Sequence, residues 1–77
     1  MNNEYKNQSK IFKIELGTKC KDLREKNNVP RIEISKRIGC TVQQVKNFEE
    51  GYTFDPAIYI YYCERFNNCY VIGRTDL

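Results

Sequence analysis

Apolar residues along this chain recur at spacings of three and four, and the residues between the recurrences punctuate them into four helices. Phe12, Leu16, Cys20 and Leu23 follow one another at four, four and three positions, the stripe of an amphipathic helix. Ser9 is a suitable N-cap for it, which leaves residues 1–8 as a polar, frayed arm. Ile11 and Ile14 widen the stripe or belong to a separate short element. Asn27-Asn28 ends the helix, because asparagine tolerates the left-handed conformation. Pro30 then suits the first turn of a second, short helix whose buried edge is Ile34 and Ile38, with Ile32 off that edge. Gly39 breaks it. Thr41 is the N-cap of a third helix, Val42 to about Glu50, with Val45 and Phe48 inward and Gly51 just past its end. The segment YTFD reads as a loop. Asp55-Pro56 opens a fourth helix through Ile58, Tyr59, Tyr62, Cys63 and Phe66, which stops at Asn67-Asn68. The final CYVIGRTDL is β-branched and aromatic around Tyr70 to Ile72, and fits a short strand, a docking segment or a last helical turn.

The expected fold is therefore all-α, with a tight glycine-containing turn joining the second and third helices. That is the connection of a helix-turn-helix, in which the second helix of the pair is held out from the body. The organisation expected is an N-terminal arm or helix extension over 1–13, a helix-turn-helix domain over 14–66, and a tail over 67–77 that can serve as a dimer segment.

Composition narrows the possible functions. At 77 residues the chain is one domain, close to the lower limit for a core without staples. No apolar run is long enough to span a bilayer and the N-terminus lacks an apolar leader, so a cytoplasmic protein with no membrane partner is expected. Cys20, Cys40, Cys63 and Cys69 show no C-x-x-C spacing, and there is no histidine to complete a zinc site. They read as reduced, small hydrophobes; no metal and no cofactor is expected. Without histidine, a glycine-rich loop or a base beside a nucleophile, an enzyme is the least favoured class. The net charge is +3 and unevenly spread. Residues 1–46 hold 11 Lys and Arg against 5 Asp and Glu, a balance of +6, whereas residues 47–77 hold 2 against 5, a balance of −3. A basic half joined to an acidic half suits one face turned to a polyanion.

The third helix carries the most informative surface. With Val45 and Phe48 inward, the 3.6-residue period turns Val42, Gln43, Lys46 and Asn47 outward. Gln and Asn can pair bidentately with adenine in the major groove, Lys can reach guanine or phosphate, and an exposed Val suits a thymine methyl.

In LGTKCKDLREKNNV, RIEISKRIGC, TVQQVKNFEEG and YYCERF the chain resembles the phage repressor and Cro-type helix-turn-helix family, the xenobiotic-response-element-like transcription regulators. The resemblance spans about residues 14–66 and is continuous from Leu16 to Gly51. It implies a lambda-repressor-like domain of four to five helices and a buried ion pair between Arg24 and Glu49. It also implies base reading by Thr41, Val42, Gln43 and Asn47 with Lys46 beside them, and phosphate contacts from Arg31, Tyr52 and Thr53. Lys36, with Lys19, Lys21 and Arg37, adds basic charge for the backbone. Pro30-Arg31 stands where the family usually has Ser-Gln, and NNCYVIGRTDL replaces its fifth helix.

The expected function is a sequence-specific regulator of transcription, Cro-like or repressor-like and derived from a phage or other mobile element. It would bind double-stranded DNA as a homodimer on a palindromic operator, with no small-molecule ligand. The alternative is a protein-binding module on the same scaffold, an antirepressor or an inhibitor of a host defence protein, using the tyrosine-rich fourth helix.

Overall fold

A computed structural model of the chain describes residues 3–66, which form α1 (Asn3–Lys26), α2 (Arg31–Ile38), α3 (Val42–Glu49) and α4 (Pro56–Phe66). The all-helical fold expected from the periodicity is present, and there is no strand among the described residues. Tyr70 to Ile72, the strand candidate, lies outside them.

The boundaries of α2, α3 and α4 follow from local chemistry. Pro30 takes extended backbone immediately before α2, and Gly39, at φ 88°, ends that helix in the left-handed region. Two residues later Thr41 caps α3. Its Oγ1 accepts from the Gln44 N–H at 3.0 Å, and Gln44 Oε1 accepts from the Thr41 N–H at 2.9 Å. This reciprocal capping box satisfies two backbone donors that would otherwise be orphaned. At the other end Gly51, at φ 86°, lets its own N–H reach Phe48 O and the Tyr52 N–H reach Asn47 O, closing the last carbonyls. Asp55 Oδ1 accepts from the Ala57 N–H at the start of α4.

The start of α1 departs from expectation. The helix begins at Asn3, not after Ser9, and Ser9 is an exposed residue inside it. Once the stripe from Leu16 to Cys20 is docked, each added N-terminal residue propagates an existing helix without a new nucleation cost. Residues 3–8 contain no glycine or proline to stop it.

Leu16, Cys20, Val29, Ile34, Val45, Phe48, Ile58 and Tyr62 form the core. Ile34 is buried as expected, but Ile38 is half-buried and Ser35 lies beside Ile34 in its place. Phe12, Ile11 and Ile14 stay substantially exposed. Phe54 in the YTFD segment sits within 6.2 Å, centroid to centroid, of Phe12, Phe48 and Tyr59. One loop side chain thus ties α1, α3 and α4 together. Phe48 in turn stacks on Tyr62 at 5.9 Å.

α1 and α3 approach closely at Gly17. A Cβ there would fall against the backbone carbonyl oxygens of Phe48 and Glu49, nearer than atoms can sit. Gly51 is equally confined, since its added Cβ would lie 2.7 Å from Ile14 Cα. Two glycines therefore let the C-terminal end of α3 rest against the backbone of α1.

Candidate functional site

The inner edge of α3 is held by a buried carboxylate. Glu49, 2% exposed, ends the helix and points into the core. Arg24 of α1 meets it with two N–H groups, Nε to Oε2 at 2.6 Å and Nη2 to Oε1 at 3.1 Å. Arg24 also donates from Nη1 to the Val29 carbonyl at 3.0 Å, fixing the turn before α2. The pair implied by the family resemblance is thus formed, and two further donors join it. Arg31 Nε reaches Oε1 at 2.9 Å from the first turn of α2, and the Tyr62 hydroxyl of α4 donates to Oε2. All four helices converge on one side chain.

The electrostatics follow from this geometry. Burial alone would lower the Arg24 pKa; the hydrogen bond and charge of Glu49 outweigh it and hold the guanidinium above its usual value. Burial and the bond to Glu49 push the Tyr62 phenol well up, so it stays a donor. Burial, reinforced by Cys63 and Glu49, raises the Cys20 thiol to about 12. Burial also raises Cys40, aided by Asp55. Thiols so shifted are unreactive near neutrality. Cys20 and Cys40 are free thiols, and among the described residues no group of acids and cysteines is placed to hold a metal ion.

The outer edge of α3 is open. Val42 is 39% exposed, Gln43 and Lys46 are exposed, and Asn47 is half-exposed. Gln43 Nε2 donates to Asn47 Oδ1 at 2.9 Å, one helical turn apart. Gln43 keeps its Oε1 and one N–H for an outside partner, and Asn47 keeps both N–H donors. The hydroxyl of Thr41 is engaged in the capping box, so this expected base reader serves first as the helix cap. Arg31, expected on phosphate, has its Nε committed to Glu49 and its side chain largely covered. Lys36, Thr53 and Tyr52 are exposed, Tyr52 at 69%.

The tyrosines of α4 lie deeper than an interface role would need. Tyr62 is buried, and Tyr59 and Tyr61 are half-buried. The outward apolar residue of α4 is Ile60, 52% exposed, beside a cleft of about 630 Å³ formed with Arg37, Ile38, Tyr61 and Glu64. The Tyr61 hydroxyl there is buried with no hydrogen-bond partner among the described residues.

Sequence reasoning missed the roles of Arg31, Tyr62 and Phe54, which depend on contacts between distant segments. It also passed over the T-x-x-Q spacing of Thr41 and Gln44, although a capping box is legible in a sequence. No helix among the described residues is long and apolar enough to cross a membrane. Comparison with family models, curated proteins and solved structures finds no match to this chain.

Proposed function

We propose that the protein is a sequence-specific regulator of transcription that reads the major groove of duplex DNA with the outer edge of α3, acting in the cytoplasm and without catalysis. The observation that carries this reading is the pairing of two edges on one helix. The inner edge is bolted to the other three helices through Glu49, while the outer edge offers Val42, Lys46 and the pre-oriented amides of Gln43 and Asn47. An apolar group beside two amides matches the methyl and the donor-acceptor pattern of A·T pairs in the major groove. The second α-helix of a short-turn pair is also the element that such domains insert there. Lys36, Tyr52 and Thr53 supply phosphate contacts, with Arg31 adding charge close to the N-terminus of α2.

One copy of so small a domain covers little DNA, so the working unit proposed is a homodimer on a palindromic site, its half-sites about one helical turn apart. The test begins with selection of a duplex that the protein prefers. Gln43→Ala and Asn47→Ala should each weaken binding to it by roughly 1–3 kcal/mol and leave random duplex nearly unaffected. Equal losses on both duplexes would show that these amides do not read bases. Sedimentation finding a single copy on the selected duplex would remove the dimer.

The cleft beside Ile60 favours a second reading, a module that binds a partner protein on α2 and α4. A protein working that way would bind random duplex weakly and with a shallow salt dependence, whereas the regulator gives a steep one.

A further inference from the structure

The early start of α1 creates a second basic feature. Lys6, Lys10 and Lys13 are spaced by four and three residues, so they lie on one face of α1. They line a cleft of about 490 Å³ together with Ser9, Gly51 and Tyr52. Among the described residues no acidic one lines it, and none of the three lysines forms a salt bridge. The ladder from Lys6 to Lys13 is about 10 Å long at 1.5 Å per residue. Its position relative to α3 is fixed, because Gly51 sits against Ile14, one residue beyond the last lysine, and directly follows the C-terminal turn of α3.

We infer that this cleft is a seat for the phosphodiester backbone of the duplex, and the inference rests on the DNA-binding reading of α3. The lysines supply three ammonium groups at a spacing that spans about three phosphates of one strand at 3.4 Å axial rise. The Tyr52 hydroxyl and Ser9 hydroxyl add neutral donors of the kind that orient on phosphate oxygens. The tyrosine ring is already exposed and its backbone N–H already satisfied by Asn47 O, so the phenol can reach outward without loosening the turn. Because the contacts are to the backbone, the cleft sets affinity and position on the duplex, and α3 sets sequence preference. The N-terminal half of α1 is then a second hand on the DNA, on the flank nearest the end of α3.

The test is the salt dependence of binding, measured on the selected duplex and on random duplex, for the intact chain and for Lys6→Gln/Lys10→Gln/Lys13→Gln. All three side chains point to solvent or lie half-exposed, so helix content and melting should match the parent, which circular dichroism checks. The slope of log K against log salt should fall by about 2 to 3, at roughly 0.9 per lost phosphate contact, on both duplexes. The ratio of the two affinities should stay constant. Lys26→Gln, which removes one exposed charge of α1 outside the cleft, should change the slope by less than about 0.5. An unchanged slope in the triple variant, or a loss per charge no greater than in the control, overturns the cleft while leaving α3 as the reader. Absence of any duplex binding by the intact chain overturns the DNA reading itself, and the cleft with it.

Discussion

The hydroxyl of Tyr62 in α4 donates to Oε2 of Glu49, the same carboxylate oxygen that Arg24 Nε of α1 holds at 2.6 Å. Removing the two donors should have unequal effects. Arg24→Ala leaves a buried carboxylate with its principal counter-charge gone and should cost about 3–5 kcal/mol. Tyr62→Phe removes one donor while Arg24 and Arg31 remain, and should cost about 1–3 kcal/mol. Urea unfolding of both variants gives the order directly. Equal losses would mean that the charge of Arg24 contributes no more than a neutral hydrogen bond.

Gly17→Ala should destabilise the fold although it improves helix propensity. Alanine in the interior of a helix gains about 1 kcal/mol over glycine. Here the new methyl collides with the carbonyls of Phe48 and Glu49, which are backbone and cannot swing aside. Overpacking of this kind costs about 1–3 kcal/mol, and the displacement of Glu49 from Arg24 adds to it. A melting temperature at or above that of the parent would show that α1 and α3 separate without loss.

Stability should fall at alkaline pH, starting at Cys20. Its folded pKa of about 12 lies above the ordinary thiol value of 9.0, so the folded state binds the proton more tightly. The stabilisation is therefore complete below pH 9 and is lost as pH rises from 9 toward 12, at about 1.4 kcal/mol per pH unit. Tyr62, raised from 10.0, adds to the loss above pH 10. Chemical denaturation between pH 7 and pH 11 should show a plateau followed by a decline. In Cys20→Ala the decline between pH 9 and pH 10 should be shallower, since the raised Cys40 thiol still titrates there. The same steepness in both proteins would remove Cys20 from the titration.

How much of this was legible in the sequence depends on the range of the interactions. The limits of α2, α3 and α4 are set within a few residues, by Gly39, Thr41, Gly51 and Asp55-Pro56, and were readable. The outer edge of α3 was readable as well, since Val45 and Phe48 fix its rotation through the helical period. The start of α1 was not. Ser9 carries a good local cap signal, but propagation from the docked half of the helix overrides it. The lysine cleft inherits that blindness, because it exists only when residues 6–13 are helical and lie beside Gly51. Arg31 and Tyr62 meet Glu49 from 18 and 13 residues away, and nothing in their immediate neighbours announces it.

The clamp on Glu49 separates two kinds of heritable change. The buried side chains of α3, Val45, Phe48 and Glu49, all lie on its inner edge. On the outer edge the side-chain hydrogen bond between Gln43 and Asn47 is local to the helix. Substitutions at positions 42, 43, 46 and 47 can therefore accumulate with little loss of folding stability, as surface changes usually do. On the DNA-reading proposal, a lineage carrying this scaffold could change its preferred site through four codons, whereas a change at Glu49 would leave Arg24 and Arg31 without their shared carboxylate.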